Sequence, residues 1–136
     1  MSVVGYSGTP LLKKLGIKPE MKVLVLNMPK DYMALLESDV SGQFVLPKQM
    51  PDLVHLFSKD SSSFKAGMKT IMAISKLNTS VVIWVSWYKK SAGTVTDMTE
   101  DLIREFALKN GLVDVKVCAV SNEWSGLKLV VPVSKR

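Results

Sequence analysis

The sequence predicts a single α/β domain over residues 1–136: a three-layer sandwich whose mainly parallel sheet ends in an antiparallel hairpin. Three observations carry that expectation. Residues 21–27 are nearly all apolar, as in a strand covered on both faces, which predicts a central position in the sheet. Strand-like and helix-like periods then alternate along the chain. Finally, residues 113–119 and the run from 127 to 133 flank the turn Asn122-Glu123-Trp124-Ser125-Gly126, the pattern of a hairpin. A chain of 136 residues suits one domain, which at this size buries roughly two thirds of its unfolded surface.

Each element has its own local signals. A Gly-Tyr-Ser-Gly turn opens residues 5–16, with Thr9 as N-cap and Pro10 at the first helical position, where a missing N–H costs nothing. Leu11, Leu12 and Leu15 form the apolar stripe, and Gly16 supplies a left-handed stop. After the first strand, Pro29 begins a second short helix whose Tyr32, Leu35 and Leu36 can pack back on the sheet. Residues 38–52 are polar and turn-rich, with an apolar patch at Phe44, Val45 and Leu46 that suits a short edge strand. Residues 52–57 read as a buried strand. Ser61 to Ser63 then cap a helix carrying Phe64, Met68, Ile71, Met72 and Leu77 on one side, with Lys65, Lys69 and Lys76 off it. Asn78-Thr79 close that helix before the β-branched and aromatic run at 81–87. Asp97 and Glu100 resemble a capping box for a helix built on Leu102, Ile103, Phe106 and Ala107, which Asn110-Gly111 ends.

Composition narrows the function classes. Hydrophobic residues make up 47% and charged residues 22%, which argues against both disorder and a disulfide scaffold. One Cys and one His do not make a structural zinc site, so no metal is expected, and Cys118 reads as a small core residue. The longest apolar run, at 81–85, is far short of the roughly 20 residues that span a bilayer. No charged-then-apolar leader follows Met1, so a soluble, cytoplasmic protein without membrane partners is expected. The net charge of +6 favours weak attraction to polyanions. Its lysines are scattered, however, as in a solvated surface, so a nucleic-acid partner has only weak support.

The strand and helix order with a terminal hairpin is similar to that of Rossmann-like class I methyltransferases, and LGIKPEMKVLVLNMP resembles the segment that opens their sheet. Where that superfamily typically has an acidic residue and glycines after the first strand, this chain has Val25, Asn27 and Pro29. Without glycine the backbone is held further from a ligand, so no S-adenosylmethionine site and no cofactor is expected. Over nearly its whole length the chain more closely resembles a small family of uncharacterised bacterial proteins. The resemblance rests on GYSGTPLLKKLGIKP, DLVHLF, WVSWYKK, TDMTEDLIRE and GLVDVKVCAVSNEWSGLKL. A proline commonly stands in that family where this chain has Tyr88. The family implies no activity or site residues.

Ligands in open α/β sheets bind outside the carboxyl ends of the strands. That rule gathers Asn27, Lys59, Trp87, Lys89 and Lys90 on one edge, and Glu123 and Trp124 join them if the strand at 113–120 runs parallel to its neighbours. Two indoles around one crevice with several ammonium groups suit a planar or anionic ligand. The plainer alternative is that the aromatics seal the core while the lysines extend into water. Ser91-Ala92-Gly93 does not make an anion nest, because Asp97, Glu100 and Asp101 already supply negative charge there and are expected to pair with Lys89 or Lys90. His55 lies inside a strand and reads as a hydrogen-bonded core residue rather than a general base. Ser86 has no nucleophile elbow, and no phosphate-binding glycine-lysine loop is present. The expected function is therefore non-enzymatic binding of a small anionic or aromatic molecule, or of a protein. A divergent transferase is the alternative, and nucleic-acid association a weaker one.

Overall fold

The computed structural model describes residues 9–136. The Gly-Tyr-Ser-Gly turn expected at 5–8 lies outside them. In chain order the helices and strands are α1 (Leu11–Leu15), β1 (Val23–Leu26), α2 (Tyr32–Leu36), β2 (Leu53–Ser58), α3 (Ser61–Leu77), β3 (Val82–Tyr88), α4 (Glu100–Lys109), β4 (Val113–Ala119) and β5 (Trp124–Val130). The strands form one sheet in the order β1-β2-β3-β5-β4. β1, β2 and β3 are parallel, and β5 is antiparallel to both β3 and β4. Consequently β4 points the same way as β1 to β3, and its carboxyl end opens on their edge.

Two apolar clusters, one on each face, make the three layers. Phe64, Met68 and Ile71 of α3 and Ile103 and Ala107 of α4 pack against Val54, Leu56, Ile83, Val85, Leu127 and Leu129. On the other face Leu11, Leu15, Tyr32 and Leu36 pack against Val23, Leu53, Phe57 and Trp84. The period of two along β2 sorts Leu53 and Phe57 to one cluster and Val54 and Leu56 to the other. α3 comes so close to the sheet that a Cβ on Gly67 would sit 2.4 Å from Leu56 Cδ1, which is why that position has no side chain. Among the described residues no helix is long and apolar enough to cross a membrane.

Several expectations are corrected. β1 is an edge strand rather than a central one. Its apolar run reports that both faces are covered, with Val23 in one cluster and Leu24 in the other, and says nothing about how many strands flank it. The apolar patch at 44–46 contributes only a parallel bridge from Phe44 to Val23, with the Val45 N–H donating to the Val23 carbonyl at 2.9 Å. Pro10, not Thr9, holds the N-cap position of α1, while Gly16 makes the expected left-handed stop at φ +79°. Asp60 caps α3: its carboxylate accepts the Ser63 N–H at 2.8 Å, so Ser61 to Ser63 form the first turn instead. Leu77 is 77% exposed, because six residues beyond Ile71 turns it about 240° around the helix.

Thr99, not Asp97, caps α4, accepting the Leu102 N–H at 3.1 Å. β5 begins at Trp124, so Trp124, Ser125 and Gly126 belong to the strand rather than the turn. Cys118 is half-buried against the smaller-helix layer, and burial raises its thiol pKa. β4 forms the other edge, with Val115 51% and Val117 45% exposed. A register shift between Asp114 and Lys116 interrupts its ladder, a feature that discourages further strand pairing.

Candidate functional site

The carboxyl edge carries two clefts, separated by the end of β3. The first, of about 600 Å³, is lined by Asn27 to Asp31 after β1, by Lys59, Asp60 and Ser63 at the start of α3, and by Tyr88, Glu123 and Trp124. The second, of about 960 Å³, lies under the loop that joins β3 to α4 and includes Trp87, Lys89, Lys90, Glu100, Asp101 and Ser125. Tyr88 lines both.

Asn27 shapes the first cleft by turning the chain out of β1 at φ +59°, a left-handed conformation that asparagine tolerates better than most residues. Its side-chain amide donates to the Phe57 carbonyl at 3.2 Å, tying the ends of β1 and β2 together. This left-handed turn is thus made by an asparagine rather than a glycine. The opposite wall is aromatic. Tyr88 and Trp124 are cross-strand partners stacked at 4.1 Å, and Trp124 meets Phe57 edge-on at 5.0 Å. The charges lining this cleft are mixed, with Lys30 and Lys59 among Asp31, Asp60 and Glu123. Hydrogen bonds from Ser63 hold the Asp60 carboxyl below its ordinary range.

The expected site residues therefore divide. Asn27, Lys59, Glu123 and Trp124 meet in the first cleft, whereas Trp87, Lys89 and Lys90 lie in the second. Trp87 and Trp124 belong to opposite apolar clusters, so the two indoles do not share a crevice. Both are largely buried and seal the core, as the plainer alternative supposed. Tyr88, not named among the expected ligand-binding residues, supplies the more accessible ring. The signal was present: Tyr88 follows Trp87 in a strand, and a period of two puts neighbours on opposite faces.

The acids near α4 also pair differently from expectation. Glu100 and Asp114 bridge to Arg104, and no ion pair to Lys89 or Lys90 occurs among the described residues. Asp97 turns away from its own helix and accepts from Ser61, which lowers its carboxyl pKa. Thr96 Oγ donates to the Lys59 carbonyl at 2.6 Å, and the Lys89 N–H donates to the Glu123 carbonyl at 2.8 Å. Both ends of the second cleft's loop are anchored in this way.

Beneath the first cleft lies a buried polar chain. Tyr32 Oη is 2.9 Å from His55 Nδ1, and His55 Nε2 is 2.7 Å from Ser86 Oγ. All three residues are fully buried. Burial pushes the His55 pKa down to about 3 and raises that of Tyr32, so both are neutral at pH 7. His55 is thus the hydrogen-bonded core histidine expected, but its pairing with Ser86 joins two strands and was not visible along the chain. Ser58 Oγ, at the end of β2, is buried without a hydrogen-bond partner among the described residues. No group of three or more His, Cys, Asp or Glu among those residues is placed to hold a metal ion.

No known family and no curated protein matches the chain. Solved structures do. A protein of the NADB-Rossmann superfamily from Streptococcus agalactiae is similar with a TM-score of 0.51 at 9% identity, over 95% of this chain and 70% of that one. An uncharacterized protein from Listeria monocytogenes serotype 4b is similar with a TM-score of 0.56 at 9% identity, over 93% and 68%. The tRNA methyltransferase TrmK of B. subtilis is similar with a TM-score of 0.49 at 10% identity, over 95% and 68%. The first two, at such low identity, establish the fold alone: it is Rossmann-like, as the strand order led us to expect.

Proposed function

We propose that this Rossmann-like domain is a non-enzymatic binding module whose first cleft takes a small planar molecule with one anionic group. The supporting observation is the Tyr88–Trp124 stack in the same cleft as Lys30 and Lys59. A tyrosine ring offers apolar area at small conformational cost, and an ammonium offers charge without demanding a bidentate geometry. Asp31, Asp60 and Glu123 outnumber Lys30 and Lys59 in the same opening and repel a polyphosphate or a nucleic-acid backbone, so the proposed ligand carries one negative charge that pairs with a single lysine. A soluble, cytoplasmic setting is compatible with one half-buried cysteine.

The test is a protein-observed NMR titration with aromatic monocarboxylates such as nicotinate and indole-3-carboxylate. Expected are shifts at residues 27–31, 59–60, 88 and 123–124, with the Trp124 indole N–H as reporter. Shifts confined to other surfaces, or none at millimolar fragment, overturn the assignment of this cleft.

A second reading, a divergent transferase, draws on Asn27, whose positive φ supplies the turn at the β1 exit that a nucleotide cofactor needs. Titration with S-adenosylmethionine separates the two readings. Micromolar affinity with shifts at 27–31 would replace the binding module by the transferase.

A further inference from the structure

The buried chain from Tyr32 through His55 to Ser86 is costly and does no surface chemistry. Three polar side chains taken out of water are compensated only in a geometry that keeps both contacts, 2.9 Å and 2.7 Å, in place. An apolar trio of the same size would fill this space about as stably, but it would tolerate sliding. What the polar trio adds is a fixed position for one helix relative to two strands.

That helix is α2, only five residues long and too short to be stable by itself. Its first residue, Tyr32, directly follows the cleft wall at 27–31. The Tyr32 N–H donates to the Pro29 carbonyl at 3.1 Å, and the Leu35 N–H donates to the Asp31 carbonyl at 2.9 Å. Where Tyr32 sits therefore sets where the wall sits. His55 also stacks on Phe57 at 4.2 Å, Phe57 meets Trp124, and Trp124 stacks on Tyr88. Both walls of the first cleft thus rest on the same buried group.

We propose that Tyr32 and His55 are positioning residues that hold the two walls of the first cleft in register, with Ser86 fixing the orientation of the imidazole. The inference rests on that cleft being the binding site, but its test reads the wall at 27–31, through the two amides that bond to it, without any ligand.

Amide hydrogen exchange at Tyr32 and Leu35 is the measurement. Tyr32→Phe keeps the ring and removes the hydroxyl, so exchange at these two amides should accelerate about tenfold or more, the size expected for one lost buried hydrogen bond. Ile71→Val, on the opposite face of the sheet, serves as a control that lowers global stability and should leave the ratio of these amides to the rest unchanged. The triple variant Tyr32→Phe, His55→Leu, Ser86→Ala removes every polar partner. It should recover global stability without recovering protection at Tyr32 and Leu35, a split that a merely structural role would not produce. If Tyr32→Phe does not fold, Ser86→Ala gives the same readout with a smaller change. Unchanged exchange in the single variants, or recovery of both stability and protection in the triple variant, overturns the proposal. Because no ligand is involved, failure of fragment binding leaves this outcome independent.

Discussion

The carboxylate of Asp97 accepts two hydrogen bonds from Ser61, one from its backbone N–H at 2.8 Å and one from its hydroxyl at 2.6 Å. An acid just before one helix thereby helps to cap another, and the loop between β3 and α4 is fastened to the start of α3. Asp97→Ala should lower the thermal midpoint by a few degrees and speed exchange in residues 89–98. Thermal unfolding together with hydrogen exchange checks both effects. A fall in midpoint with no change in the loop would show that only the cap was lost.

Stability should form a plateau in pH whose two limits are set by the buried chain. The folded pKa of His55 is depressed from 6.5 to about 3, so the unfolded state binds more protons between those values. Its contribution is fully present above pH 6.5 and is lost as pH falls toward 3, on the order of 5 kcal/mol at most. Burial raises the Tyr32 pKa above its ordinary 10.0, so its contribution is present below pH 10 and is lost as pH rises beyond it. Urea unfolding from pH 4 to pH 11 measures the curve. In His55→Leu the decline below pH 6.5 should be markedly shallower.

Gly67→Ala should destabilise the protein by about 1–3 kcal/mol, because the new methyl overlaps the end of Leu56 in a packed layer. Adding Leu56→Val should return part of that loss. Denaturant midpoints of the single and double variants test the coupling, and additive effects would contradict it.

The two sides of the β3 terminus should behave differently toward aromatic carboxylates. Tyr88→Ala should weaken fragment binding in the first cleft about 2- to 10-fold, the range expected for loss of an aromatic contact. Trp87→Phe, in the opposite cluster, should leave it within about twofold. NMR titrations of both variants decide the matter, and equal losses would mean that the sheet does not separate the two clefts.

Much of the fold was legible in local patterns. The apolar runs at β1 and β2, the heptad-like spacing of Phe64, Met68 and Ile71, the left-handed stop at Gly16 and the hairpin between β4 and β5 are short-range signals. Each reflects the backbone conformation or burial of a few consecutive residues. Cap positions were displaced by one to three residues wherever two capping side chains stood close together, as with Asp60 beside Ser61 and Asp97 beside Thr99. Both types can accept the free N–H groups, and contacts elsewhere decide which one does.

The candidate site was legible only in part. Placing Asn27 and Lys59 at one edge needed only the rule that parallel strands end together, whereas adding Glu123 and Trp124 needed β4 to run with β1 to β3, which the sheet order decides. Separating Trp87 from Trp124 needed the cross-strand register, in which Tyr88 rather than Trp87 stands opposite Trp124.

By itself the sequence determined the layer class and the hairpin, since periodicity records how each stretch of chain meets its own surroundings. Tertiary structure alone decided that β1 lies at the edge, that β5 slots between β3 and β4, and that His55 reaches Tyr32 and Ser86. Those relationships join residues distant along the chain. They are chosen by how whole faces pack, a collective property that no local window of residues contains.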